Sequence, residues 1–229
     1  IKARKAGTVG GFVTVITDTQ IGKGNEGTEG GGTDGFLVRL ADSVDAAVAR
    51  LDELRARGRW TLNEVAILAG GDMIEGTGGN YPAQPFRIDL GLRDQIEIAA
   101  LSMDYAIDRF LAAGVSKLTV AFVPSNHGEN RGGGGKGIAT EERDSTDLIV
   151  ADQLRRAYAK SANAGLVDIV VPWANHTTLA LDIAGTKVGL AHGHTTGRKT
   201  LADWWKGQMV DPARPTSDAR ILVAGHRHH

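Results

Sequence analysis

Five short clusters in this chain carry side chains of the kind that hold metals: Asp18-Thr19-Gln20, Gly71-Asp72, Asn126-His127-Gly128-Glu129, His192-Gly193-His194 and Gly225-His226-Arg227-His228. Carboxylate, amide and imidazole in this mixture suit a hydrolytic centre built on two divalent cations. Hydrolysing a phosphate ester near neutral pH needs neutralised phosphoryl oxygens, an ionised water and a protonated leaving group. Two cations roughly 3.5–4 Å apart supply the first two. A bridging carboxylate is an economical way to hold cations that close. Asp72 is the candidate, because the glycines of Ala69-Gly70-Gly71 before it allow tight backbone approach.

Each cluster directly follows an apolar, β-branched run, at 12–16, 65–68, 118–123, 188–191 and 221–224. Every ligand is therefore expected at the carboxyl end of a strand. Between these runs, apolar residues recur at spacings of three and four: Leu37, Leu40, Val44, Ala47, Val48, Leu51 and Leu54 mark a helix over 36–57. A second helix is expected over 92–113 and a third over 144–160, capped by Asp144 or Ser145. Strands at 167–171, 177–182 and 187–191 follow, with Ala184-Gly185 turning a hairpin, so the second half is partly antiparallel. The alternation of strand and helix argues for an α/β layered fold. Segments 22–35, 76–91 and 130–142 read as loops, each following a ligand cluster and so rimming the site. A short helical stretch over 200–208 carries Trp204-Trp205, a pair expected to bury one ring in the core and leave the other half exposed. There is no internal repeat.

The chain has 229 residues, 41% of them apolar, which is enough for one well-buried domain. It has no cysteine, so disulfides, thiolate metal sites and a cysteine nucleophile are excluded. The apolar runs are strand-sized and no basic-then-apolar leader opens the chain, so a soluble protein of a reducing cytoplasm is expected, without membrane contact. It begins at Ile1 and stops one residue after its last ligand, which fits a trimmed piece of a larger protein. A net charge of −1 excludes a globally basic nucleic-acid binder but not a local basic patch.

The order Asp-x-Gln, Gly-Asp, Asn-His-Gly-Glu, His-Gly-His, Gly-His-x-His resembles the signature of the calcineurin-like metallophosphoesterases over nearly the whole chain, closest to phage-encoded and repair-nuclease-like members. The resemblance implies a two-sheet β-sandwich flanked by helices, with a di-metal site at the strand ends. By position, it places Asp18, Asp72 and His228 on one metal and Asp72, Asn126, His192 and His226 on the other. It makes His127 the group that protonates the leaving oxygen or steadies the transition state. Two divalent ions are implied, Mn²⁺ first, with Mg²⁺, Fe²⁺ or Zn²⁺ as alternatives. Four of the seven histidines, His127, His192, His226 and His228, fall on these positions. His194 reads as a neighbour that orients a ligand, while His176 and His229 receive no role. Glu75 and Glu129 read as solvated loop carboxylates.

Two departures from the family pattern stand out. Gln20 replaces a histidine; its amide oxygen is a weaker ligand, acceptable to Mn²⁺ or Mg²⁺, and implies a labile first metal. Ser125 replaces a glycine before Asn126, a small change in a loop.

The segment 22–27 formally matches G-x-G-x-x-G, but more glycine intervenes before the helix, which misplaces a phosphate-cradling terminus. Segment 132–137 lacks the Ser or Thr of a phosphate loop, and no G-x-S-x-G occurs. Arg131, Lys136, Arg143, Arg198, Lys199, Lys206 and Arg227 lie in or near rim loops and could track a phosphate backbone, although ordinary solvated charge explains them as well. Arg227 is also a candidate for stabilising the equatorial phosphoryl oxygens during in-line attack by hydroxide. Three functions stay open: a nuclease acting on DNA, a phosphodiesterase or phosphatase on small nucleotides and phosphoesters, and a scaffold that has lost catalysis. Retention of the histidines argues against the last, and Gln20 alone favours it.

Overall fold

The computed structural model describes residues 8–24, 31–130, 141, 143–173, 176–197 and 200–227. The β-branched runs form strands β1 (Thr8–Ile16), β2 (Trp60–Ala69), β3 (Lys117–Phe122), β4 (Val167–Val170), β5 (Thr178–Ile183), β6 (Thr186–Ala191) and β7 (Ile221–Ala224). They sort into two sheets of an α/β fold, one ordered β1-β2-β3-β4 and the other β5-β6-β7. The first is parallel throughout. In the second, β5 and β6 are antiparallel and β6 and β7 parallel. Parallel pairing sends the carboxyl ends of β1, β2, β3 and β4 to one edge of their sheet, where the loops bearing Asp18, Asp72 and Asn126 begin.

Alternation along β2 shows what holds the layers together. Val65, Ile67 and Ala69 point one way, into the core made with α1 (Gly32–Ala56), α2 (Leu92–Ala112) and α3 (Thr146–Tyr158). Ala66 and Leu68 point the other way, with Ala121 and Val123, against Leu179, Ile183, Val188 and Leu190 of the second sheet. The first sheet is thus covered on both faces, as its near-continuous apolar strands require. The hairpin turns at Ala184-Gly185, both left-handed (φ 48° and 81°), as a two-residue turn demands. Ala184 N–H donates to Glu64 Oε2 at 3.2 Å, which fastens the turn to β2.

Three expectations need correction. Helix α1 starts at Gly32 rather than 36, because the Asp89 carboxylate reaches from the 76–91 segment to accept the Thr33 N–H and hydroxyl, both at 2.8 Å. A carboxylate at a helix N-terminus satisfies an orphan donor and favours the dipole, which offsets the poor helix propensity of the glycines. Segment 76–91 is also not a bare loop. Gln84–Phe86 forms a 3-10 turn, and the wholly buried Gln84 and Gln95 bond the segment's backbone, Gln84 accepting Asn80 N–H and Gln95 accepting Gly76 N–H and donating to Leu90 O. Finally, helix α4 (Leu201–Met209), capped by Thr200, buries none of its residues. Trp204 and Trp205 are both half-buried, and Trp205 Nε1 donates to Thr216 O at 3.2 Å, so neither ring enters the core.

Ser145 is the cap of α3, its hydroxyl accepting from Asp147 N–H at 3.3 Å. Most of 130–142 lies outside the described residues. Among the described residues no helix is long and apolar enough to cross a membrane.

Candidate metal centre

Asp72, His192 and His226 each offer a ligand atom within 4.8 Å of the others, from the ends of β2, β6 and β7. Asp72 Oδ2 lies 3.1 Å from His192 Nε2. Asn126 Oδ1, from the loop after β3, lies 3.1 Å from the same nitrogen. The other ring nitrogen of His192, Nδ1, is 2.8 Å from Gly70 O. A carbonyl can only accept, so Nδ1 carries the proton and Nε2 faces the two acceptor oxygens, the orientation of a metal-ligating imidazole.

The charges respond to this crowding. Burial opposes ionisation of Asp72, but the His192 hydrogen bond and charge, with help from His127, prevail and draw its pKa down to about 2. Burial likewise opposes charging His192, and the Asp72 carboxylate outweighs it, raising the imidazole. His226 goes the other way: burial and the neighbouring His192 lower it. The three rings of His192, His194 and His226 sit with centroids 5.0–6.3 Å apart.

The remaining predicted ligands divide. Asp18 reaches the cluster through the backbone, both carboxylate oxygens accepting from His226 N–H at 2.9 and 3.0 Å, while Thr17 Oγ1 donates to Oδ2 at 2.7 Å. Gln20 Oε1 accepts from Lys23 Nζ at 3.2 Å. His228 lies outside the described residues, as do Arg131, Lys136, Arg198 and Lys199 of the expected basic rim. Arg227 is tied to the 3-10 turn at His194–Thr196, donating to Thr196 Oγ1 at 2.7 Å and Gly197 O at 3.2 Å.

His127 is fixed from two sides. Its backbone N–H donates to Asp72 Oδ1 at 2.9 Å and its Nδ1 to Glu75 O at 2.8 Å, with Glu75 Oε2 3.4 Å away. Glu75 is wholly buried, not a solvated loop carboxylate. Tyr81 OH donates to its Oε1 at 2.7 Å. Glu129 is half-buried, its side chain 18% exposed, and lies 3.7 Å from His194 Nε2.

Ser125 is also more than a small change. It is fully buried, and its hydroxyl donates to Asp147 Oδ2 at 2.5 Å. Asp147, on the first turn of α3, takes Met73 N–H on its other oxygen at 3.0 Å. Burial, with Asp72 nearby, pushes the Asp147 carboxyl above its usual range. Its position at a helix start flanked by apolar Leu148, Ile149 and Val150 is the one signal in the sequence that could have marked it.

Backbone strain gathers at the same place. Among the described residues, the non-glycine positions with positive φ are Asp18 (53°), Gln20 (44°), Asp72 (50°), His226 (71°) and the hairpin's Ala184. Four of these five are candidate ligands, and left-handed backbone persists outside glycine where surroundings over-determine it. Gly71 beside Asp72 has φ 91°, and a Cβ there would lie 2.7 Å from Ser125 Cβ and 2.9 Å from His192 Nδ1, so only glycine fits.

Comparison of the chain with protein-family models, with curated proteins and with solved structures finds no match in any of the three. An α/β fold of two sheets, with a carboxylate and two imidazoles converging at strand ends, is the class that fold and site define.

Proposed function

We infer that the chain is a metal-dependent phosphoesterase resembling the calcineurin-like family, and that it hydrolyses phosphodiester bonds as a nuclease acting on DNA. The observation that carries this is the convergence of Asp72, His192 and His226 within 4.8 Å, with Asn126 Oδ1 alongside. Oxygen and imidazole donors fit Mn²⁺ and its neighbours, and the Nδ1–H of His192 leaves Nε2 for a cation. Asp18 and His228 would complete the set. Divalent cations held there would neutralise phosphoryl charge and acidify a water.

The chain's own groups supply the rest. The Nδ1 contact to Glu75 O supports a role in which His127 would turn Nε2 to a substrate and pass a proton to the leaving oxygen. Arg227 lines a cavity of about 550 Å³ with Thr17, Asp18 and Thr200, where its guanidinium can meet an anionic group. That cavity is of ligand size and favours a second reading, hydrolysis of a small nucleotide or phosphoester.

Hydrolysis of bis-p-nitrophenyl phosphate, single-stranded DNA and duplex DNA, with Mn²⁺ and with chelator, tests both readings beside Asp72→Ala. Metal-dependent turnover lost in the variant is expected, and the substrate ratio chooses between polymer and small ester. A protein that binds Mn²⁺ and cleaves none of these overturns the enzyme.

A further inference from the structure

We propose that Asp147, which belongs to none of the five ligand clusters, is a positioning residue that sets the spacing of Asp72 and Asn126 and so the metal affinity of the centre. This rests on the metal-centre reading above.

A buried carboxyl is the informative exception in a protein interior, since it must be satisfied or neutralised. Asp147 is 1% exposed, and among the described residues the polar groups bonded to its carboxyl are a backbone amide and two hydroxyls, without a cation. Its two oxygens serve different turns. Oδ1 takes the N–H of Met73, the residue after Asp72. Oδ2 takes the hydroxyl of Ser125, the residue before Asn126, as well as that of Ser145 at 3.0 Å. Ser125 Oγ in turn accepts Gly128 N–H at 3.3 Å, closing the loop that carries Asn126 and His127. One carboxyl on α3 therefore spans the two ligand-bearing turns.

The Met73 bond lies next to left-handed Asp72, and that backbone holds only while its neighbours fix it. From the β1 side the same turn is held by Asp18 N–H to Gly71 O at 3.0 Å, Gln20 N–H to Asp72 O at 2.9 Å, Ile21 N–H to Met73 O at 3.1 Å and Thr19 Oγ1 to Met73 O at 2.6 Å, and from the loop after β3 by His127 N–H on Asp72 Oδ1. Asp147 is the counterpart from the α3 side. The fit around it is close: a Cβ on Gly128 would collide with Asp147 Oδ2 and lie 2.7 Å from Ser145 Oγ. Groups that orient ligands from behind typically alter metal affinity about 10–100-fold when removed.

The test is Mn²⁺ titration calorimetry on the whole chain, with thermal melting in chelator, for wild type, D147A, D147N, S125A and Y158F. D147A should weaken Mn²⁺ binding about 10–100-fold. D147N should stay near wild type, because an amide oxygen still accepts from Met73 N–H and the amide nitrogen can donate to Ser125 Oγ. S125A, which cuts one arm, should fall between them. Y158F removes the Tyr158 bonds to Asp104 and Asp108 on α2, far along the same helix, so it should lower the melting temperature and leave Mn²⁺ affinity alone. If D147A does not fold without metal, D147N and S125A decide. Wild-type affinity in D147A or S125A, a D147N as weak as D147A, or a loss in Y158F proportional to its destabilisation overturns the positioning role. A wild-type chain that binds no Mn²⁺ overturns the metal-centre reading instead.

Discussion

The two sheets bring their candidate ligands together under different conditions. Asp72 and Asn126 leave strands sealed on both faces, and their turns are fixed by wholly buried Ser125, Glu75 and Asp147. His226 leaves β7, an edge strand among the described residues whose Ile221 is 50% exposed, near α4, none of whose residues is fully buried. His192 bridges the two, buried at the end of β6 yet hydrogen-bonded to Gly70 at the end of β2 in the first sheet. One half of the centre is therefore built before any cation arrives. We propose that the other half is the one a cation would hold, which separates geometry set by folding from geometry set by binding.

Replacing Asp72 strikes both halves at once. Asp72→Ala should reduce hydrolysis beyond about 10⁴-fold and abolish stoichiometric Mn²⁺ uptake, measured by single-turnover kinetics and calorimetry. Retention of both would remove Asp72 from the bridge between the halves. Next comes the built half alone: His127→Ala should lower turnover by about 10²–10⁴-fold with Mn²⁺ still bound. If metal is lost instead, His127 is a ligand.

A paired experiment sharpens the contrast further. His192→Ala removes a buried ring bonded to Gly70, Asp72 and Asn126, so the metal-free protein should lose about 1–3 kcal/mol of stability in urea unfolding. His226→Ala, at a half-buried ring, should leave metal-free stability nearly unchanged while losing Mn²⁺. Equal destabilisation by the two would erase the distinction. Amide exchange on adding Mn²⁺ should slow more in 221–227 than in 70–76.

The smallest effect is on pH dependence without metal. Asp72 is held at about 2, below its ordinary 3.8, so its contribution is present above 3.8 and lost as pH falls toward 2. His192 is raised above 6.5, so its contribution is full below 6.5 and lost as pH climbs through the raised value. The melting-temperature gap between wild type and Asp72→Asn in chelator should thus be widest between pH 3.8 and 6.5. A gap flat from pH 2 to 9 would mean the pair is not coupled in the fold.

What could be read from the sequence follows from how local each signal is. The strands before all five clusters were legible because β-branched runs declare themselves within a few residues, as did the Ser145 cap and the Ala184-Gly185 turn. Helix α1 began earlier than its glycines suggested because the partner of Thr33, Asp89, lies 56 residues away. The same distance problem hid the site's support. Asp147 meets Met73 across 74 residues and Ser125 across 22, and Glu75 meets His127 across 52. Acids on helices and loops look solvated until the fold encloses them. Trp204 and Trp205 misled in the opposite sense, since an aromatic pair signals a core only where another layer covers it.

The left-handed backbone at Asp18, Gln20, Asp72 and His226 has a consequence for how this protein would evolve under artificial selection. A left-handed L-residue costs roughly 1–2 kcal/mol relative to an unstrained one, and glycine escapes most of that. A library screened for heat tolerance alone would accept glycine at Gln20, whose side-chain bond to Lys23 is exposed, but not at Asp72, whose carboxylate holds His127 N–H and His192. The left-handed residue that such a screen gives up first is thus Gln20, the position where the chain also departs from the family pattern.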